Sequence, residues 1–209
     1  MGKITGMEQV QDVPSKVLLL YKAVEQLIVE GADMNEIRVS TITDRAGIGK
    51  GTAYDYFDTK EELLACAVIF YIKKVTGELK RILSEISCFR EQIEWLLEEV
   101  EKKSDNQHCL MQYVHMMTDN SGFSRLVQEK VQTEEIKEYL PASILEDLMK
   151  RAVERGEVRK DLPMKYMVYS LFARLVSYML CIGEKSPLQM NGAEIRTLIC
   201  NSIVEELCV

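Results

Sequence analysis

Proline is scarce in this 209-residue chain, with four in all, at 14, 141, 163 and 187, so the stretch 15–140 contains none. Glycine is sparse as well, at eleven. Without these breakers, and rich in Leu, Glu, Lys, Met and Ala, the sequence favours helix throughout. No apolar run reaches the length of a membrane span, so none is expected. The opening Met1-Gly2-Lys3-Ile4-Thr5-Gly6 lacks the apolar stretch of a signal peptide. Gly6 also stands where an N-myristoylation pattern needs Ser or Thr. Six cysteines lie scattered at 66, 88, 109, 181, 200 and 208 with no C-x-x-C pair, the pattern of reduced thiols and of a cytoplasmic location.

Positive charge is in deficit. Lys+Arg total 26 against 33 Asp+Glu, a net of -7. Residues 1–60 hold seven basic and nine acidic groups, net -2, and the remainder 19 and 24, net -5. A protein that coats nucleic acid nonspecifically needs a surplus of cations, so the balance argues against that class. It does not argue against a reader of one DNA site, working through few placed contacts.

Periodicity then orders the chain. After Pro14-Ser15, Val17, Leu20, Tyr21, Val24, Leu27 and Ile28 recur at spacings of three and four, one face of an amphipathic helix that Gly31 ends. A polar link, Ala32-Asp33-Met34-Asn35-Glu36, leads to a short helix over Thr41–Ala46, capped by Ser40 or Thr41. Gly47-Ile48-Gly49 makes a tight turn, and a second short helix covers Lys50–Phe57. Beyond Asp58-Thr59 the spacing predicts helices near 61–83, 89–103, 106–118, 122–138, 142–155, 164–182 and 192–207. The expectation is an all-α protein of two domains. Residues 1–60 form a three-helix domain with a helix-turn-helix, and residues 61–209 a larger helical domain.

Two short helices joined by a glycine-containing turn suit the major groove, the second helix entering it. Ile42, Ala46 and Ile48 point inward, and Ala53 and Phe57, four apart, hold the second helix to the core. That leaves Lys50, Gly51, Thr52, Tyr54 and Asp55 outward or at the helix start. Lys50 can neutralise a phosphate, the hydroxyls of Thr52 and Tyr54 can bond phosphates or base edges, and Gly51 permits close approach.

The run Val39-Ser40-Thr41-Ile42-Thr43-Asp44-Arg45-Ala46-Gly47-Ile48-Gly49-Lys50-Gly51-Thr52-Ala53-Tyr54-Asp55-Tyr56-Phe57-Asp58-Thr59-Lys60-Glu61-Glu62-Leu63 resembles the DNA-binding motif of the tetracycline-repressor (TetR) family. The resemblance covers about residues 15–65, and its Lys-Gly-Thr-x-Tyr-x-Tyr-Phe-x-x-Lys-Glu-x-Leu core is specific. It implies DNA contacts by Ser40, Lys50, Gly51, Thr52, Tyr54, Asp55, Tyr56 and Lys60. Gly156-Glu157-Val158-Arg159-Lys160-Asp161-Leu162 is similar to the turn before the family's penultimate helix. Three positions depart from the pattern. Gly49 replaces a small polar cap, Ala53 a larger aliphatic residue, and Asp55 a donor such as His or Arg. A carboxylate at 55 can accept from cytosine N4 but not pair with phosphate.

An enzyme is not expected. Gly49-Lys50-Gly51-Thr52 has the look of a nucleotide-binding loop, but Asp44 stands where that loop needs glycine and would repel phosphate. The alternating strands and helices of a parallel sheet are missing too. His108 and His115, the two histidines, would sit roughly 10 Å apart along one helix, too far to share a metal. No cofactor is expected.

For the larger domain the resemblance implies an apolar effector pocket, for which the adaptable methionines and aromatic residues are candidates: Trp95, Met111, Tyr113, Met116, Met117, Tyr139, Tyr169 and Phe172. It also implies a homodimer formed by the last two helices. One stripe there is Tyr166, Ser170, Ala173, Ser177 and Leu180; the other is Ile195, Leu198, Ile199 and Ile203. Glu91, Glu94, Glu98, Glu99 and Glu101 read as a solvated helix face. The function so implied is a repressor released from a palindromic double-stranded DNA operator by a small apolar molecule. The alternative is an architectural helix-turn-helix protein without an effector, binding DNA or a protein partner.

Overall fold

The computed structural model describes residues 4–102, 115–182 and 191–209. Among these the regular elements are helices, with one isolated antiparallel bridge between Val158 and Cys208. A 3-10 turn, Val10–Asp12, precedes α1 (Ser15–Val29), α2 (Val39–Ala46), α3 (Lys50–Tyr54), α4 (Lys60–Glu85) and α5 (Phe89–Lys102). There follow α6 (Gly122–Val131), α7 (Glu134–Lys137), α8 (Pro141–Glu154), α9 (Met164–Ile182) and α10 (Gly192–Leu207). Residues 115–118 are helical. No described helix is long and apolar enough to cross a membrane.

The chain forms two compact units, one of residues 1–75 with 108–140 and one of 76–107 with 141–209. The boundary expected from the sequence lies at 60/61. By compactness, the first half of α4 and the described residues 115–140 go with the N-terminal helices. In this first unit Val17, Leu20 and Val24 of α1 share one core with Ile42, Ala53, Phe57, Leu64 and Ile69. Phe123, Val127 and Ile136 enter the same core from α6 and α7. The Tyr21 ring lies 5.0 Å from that of Phe70 and 6.2 Å from that of Phe57. Burying each such side chain contributes roughly 1.5–3 kcal/mol.

The helix expected over 122–138 is two. The hydroxyl of Thr133 donates to the Lys130 carbonyl at 2.8 Å, and the Gln132 and Thr133 amides make i→i+3 bonds to the carbonyls of Glu129 and Lys130. The last turn tightens and the ladder stops. At the other end of α6 the Ser121 hydroxyl accepts from the Ser124 amide at 3.2 Å. The Asp119 carboxylate accepts from the Ser124 hydroxyl at 2.7 Å. Gln128 donates to the carbonyls of Met116 and Asp119, tying residues 115–118 to α6.

The second unit packs Leu83, Phe89, Ile93 and Leu97 against Leu148 and Met149 of α8, Leu171 and Tyr178 of α9, and Ile203 and Leu207 of α10. The buried Gln92 amide donates to the carbonyls of Leu83 and Ile86 at 2.7 and 2.8 Å, closing the α4–α5 turn. Gly156, at φ 76°, ends α8 and begins the turn singled out in the sequence before α9. The acidic face of α5 is not simply solvated. Arg196 of α10 pairs with Glu101 at 2.6 Å and Glu98 at 4.0 Å, and Arg90 with Glu94 at 3.6 Å.

Candidate nucleic-acid interface

The turn between α2 and α3 is made by Gly47 in the left-handed region, φ 67°, whose amide bonds back to the Asp44 carbonyl while that of Ile48 reaches Thr43. An added Cβ would meet no neighbour there, so it is the backbone angle that favours glycine. Ile42, Ala53 and Phe57 are buried as expected, and Ala46 and Ile48 pack at the edge of the same core. These anchors fix which face of α3 is left over.

The start of α2 corrects the sequence reading. The helix begins at Val39 with Arg38 as its cap residue and no side-chain cap, so neither Ser40 nor Thr41 serves as one. Val39 is buried and must join the first turn to reach the core. The Ser40 carbonyl instead accepts the Thr43 hydroxyl at 3.1 Å. Ser40 and Thr41 are exposed at that end beside Arg38, an exposed cation that is not among the expected contact residues. Its only signal was its place at a helix start. Arg45 on the same helix is engaged by Glu30 at 2.7 Å.

The recognition helix is shorter than expected. α3 ends at Tyr54, and Asp55 and Tyr56 form the following turn. Of the eight expected contact residues, Ser40, Lys50, Gly51, Tyr54 and Asp55 are exposed; Thr52, Tyr56 and Lys60 are half-buried. Tyr54 presents 48% of its surface, and the Lys50 ammonium stands 6.0 Å from its ring centroid. Tyr56 leans on the core. The Lys60 ammonium donates to the Asn35 carbonyl at 2.9 Å and lies 3.6 Å from Glu61. Gly49 occupies the cap position of α3 in extended conformation and offers no side-chain acceptor. At the next helix start the Thr59 hydroxyl accepts from the Glu62 amide at 3.1 Å, and the Glu62 carboxylate accepts from the Asp58 amide at 2.8 Å. That reciprocal cap starts α4 three residues beyond Phe57.

The residues expected to line an effector pocket fall in both units. Met116, Met117 and Tyr139 pack into the first core, and Trp95 and Phe172 against the second. Met111, Tyr113, His108 and Cys109 lie outside the described residues. Tyr169, 68% exposed, instead lines a surface groove of about 340 Å³ with Tyr166, Ser170, Ala173, Arg174, Ser177 and Glu206. Those are largely the residues expected at a dimer interface, and Leu180 and Leu198 are exposed on the same two helices. Ile195 and Ile199 are half-buried. Ile203 does not belong with them: it is 0% exposed, packed with Cys200 and Leu207 inside its own chain. Within the groove the Glu206 carboxylate accepts from the Tyr166 hydroxyl at 2.7 Å and the Ser170 hydroxyl at 3.1 Å, and it pairs with Arg174. A second, larger open cleft of about 750 Å³ lies along α1 and α4 of the first unit. Among the described residues no group of three or more His, Cys, Asp or Glu could hold a metal ion.

Residues 20–67 match the sequence pattern of the bacterial regulatory proteins of the tetR family. No curated protein sequence matches the chain. Solved structures do. The transcriptional regulator FadR from Bacillus subtilis, in complex with stearoyl-CoA, is 15% identical with a TM-score of 0.66, over 90% of this chain and 97% of that one. The fatty acid degradation regulator FadR from Bacillus halodurans is 16% identical with a TM-score of 0.68, over 92% and 96%. A TetR transcription regulator from Haloarcula marismortui is 14% identical with a TM-score of 0.66, over 93% and 98%. At these identities the likeness is one of fold.

Proposed function

By its N-terminal domain this chain is a regulator of the tetR family, and from that premise we propose that it is a cytoplasmic, homodimeric transcriptional repressor released from its operator by a small apolar effector. Residues 1–60 read double-stranded DNA, and residues 61–209 supply dimerisation and effector binding. The observation that carries this reading is the exposed face of α3, where Lys50 and Tyr54 stand clear of a core that Ala53 and Phe57 fill. In this reading Lys50, Lys60, Ser40 and Thr52 serve the phosphates, Tyr54, Tyr56 and Asp55 meet base edges, and Gly51 lets the backbone come close.

The effector part draws support from the fold shared with a regulator solved with stearoyl-CoA. A long apolar chain is thus the first class of molecule to try. The mechanism is a two-state change in the spacing of the paired recognition helices. The effector must bind the state that fits the operator less well, and the coupling is reciprocal. A homodimer places two such helices on a palindromic site. The test is a footprint on the DNA upstream of the protein's own gene at moderate salt. Lys50→Ala combined with Tyr54→Ala abolishes protection; an unchanged footprint refutes the DNA assignment. Long-chain acyl compounds added to the wild-type complex release it if the effector class is right.

A further inference from the structure

Residues 4–9 form a strap over the first unit. The Lys73 ammonium, on α4, donates to the Met7 carbonyl at 2.6 Å and the Glu8 carbonyl at 3.5 Å, and sits 5.5 Å from the centroid of Tyr139. Lys130, on α6, donates to the Thr5 carbonyl at 3.2 Å. The Cys66 thiol donates to the Ile4 carbonyl at 3.5 Å, and Ile4 is buried. Gly6 holds φ 85°, and a Cβ there would stand 2.5 Å from the Cys66 carbonyl oxygen, so the strap lies directly on the α4 backbone. Internally it is set by Glu8, whose carboxylate accepts from the Thr5 and Gly6 amides at 2.7 and 3.0 Å.

What the strap joins gives it meaning. α4 begins three residues after Phe57, which is buried in the core just beyond the end of α3, so only a short anchored link separates α4 from α3. α6 and Tyr139 belong to the half of the chain proposed to answer the effector, yet they pack in the same core as the DNA-reading helices. The strap bonds to both through cationic donors, and charge-assisted bonds to carbonyls are the stronger kind. Burial pushes the Cys66 thiol up to about 11, so it stays protonated and remains a donor to the strap.

We propose that residues 4–9, seated by Lys73 and Lys130 and allowed in by Gly6, are a positioning strap that welds α4 to the 115–140 segment and so sets how the recognition helix meets its operator. This rests on the DNA-reading function argued above. Lifting the strap withdraws Ile4 from the edge of the core and loosens α4, and operator recognition declines while nonspecific binding, which depends on charge and not on helix placement, is retained.

The experiment measures full-length protein on its own promoter fragment and on unrelated DNA by fluorescence anisotropy, with hydrogen exchange over residues 60–75 and 122–131. Gly6→Val, which changes no charge, is compared with Lys73→Met and Lys73→Arg. Gly6→Val and Lys73→Met are expected to weaken operator binding about fivefold to tenfold, the size of a coupling lost through a packed network. Unrelated DNA changes by less than about twofold for the uncharged Gly6→Val. Exchange rises in both segments, and Lys73→Arg restores most of the operator affinity. Unchanged operator affinity in both variants overturns the strap proposal, as does equal loss on operator and unrelated DNA. Wild-type protein that binds no promoter DNA instead overturns the DNA-reading function itself.

Discussion

The ammonium of Lys60, first residue of α4, donates to the backbone carbonyl of Asn35 at 2.9 Å, joining the loop that enters the helix-turn-helix to the helix that leaves it. The Lys60 side chain keeps 24% of its surface. Lys60→Met removes a charge-assisted bond and is expected to lower stability by about 1 kcal/mol, below the usual range for such bonds because water partly replaces it. Urea unfolding checks this, and an unaltered midpoint refutes the tie. The same variant lowers the slope of log affinity against log salt by about one if Lys60 also neutralises a phosphate. An unaltered slope would leave it as a tie alone.

Gly49 caps α3 with φ -70° and ψ 145°, and an added Cβ would meet nothing within 4 Å. Any residue can adopt those angles, so Gly49→Ser introduces no strain and supplies the missing acceptor for the first amides of α3. The expected gain is a few tenths of a kcal/mol, with a slightly raised melting temperature and tighter operator binding. Gly47, two residues earlier, behaves in the opposite way: at φ 67°, Gly47→Ala costs about 1–2 kcal/mol. If Gly49→Ser binds operator more weakly than wild type, the bare cap serves close approach to DNA and not economy of sequence.

The contrast between those two glycines shows what a linear reading captures. Gly47 announces itself because a left-handed turn between two apolar-periodic segments calls for glycine. The helices at 164–182 and 192–207 were legible from spacing alone, and Ala53 and Phe57 declared the buried side of α3. The break at Gln132-Thr133 was not legible, since it contains no Gly or Pro and comes from a threonine turning its hydroxyl onto its own helix. The strap was hidden too. Its fasteners, Lys73 and Lys130, follow Met7 and Thr5 by 66 and 125 residues. Periodicity likewise put Ile203 on an apolar stripe but did not say whether its own chain or a partner covers it. Met116 and Trp95 show the same limit for the pocket: softness and aromaticity mark burial, and carry no address.

Several carboxylates are held below their ordinary pKa range, which makes stability fall in acid. Asp119 is brought down to about 2 by hydrogen bonds from the side chains of Ser121 and Ser124. Glu157 is lowered by its bond to Arg155, against the opposing effect of burial, with the Phe89 amide helping. Burial would raise Glu206, but Tyr166, Ser170 and Arg174 together lower it. A carboxylate with a depressed folded pKa contributes its full stability above the unfolded value near 4, and loses it as pH falls through the folded value. The melting temperature is therefore expected to change little from pH 7 to about 5 and to drop between about 4.5 and 2. Asp119→Asn should flatten part of that drop and leave a lower plateau at pH 7. A variant as stable as wild type at pH 7 would show that the Asp119 cluster is not favourable.

On α10 two positions five residues apart in sequence separate an exposed face from the core. Leu198 is 56% exposed on α10, while Ile203, on the same helix, is 0% exposed. An α-helix turns through one full circle in 3.6 residues, so five steps carry a side chain most of the way to the opposite face. If the exposed side of α9 and α10 meets a second copy, Leu198→Asp places a charge in an apolar contact and converts dimer to monomer. Sedimentation would show a halved mass, and far-UV circular dichroism an unchanged helix content. Ile203→Ala does the reverse: it removes buried methyl groups and costs about 2–5 kcal/mol of stability. At temperatures where it stays folded it still sediments as a dimer. Operator binding should fail in the first variant because a lone recognition helix reads only one half-site, and survive in the second well below its melting point. A Leu198→Asp protein that remains dimeric would move the two-fold contact away from these helices.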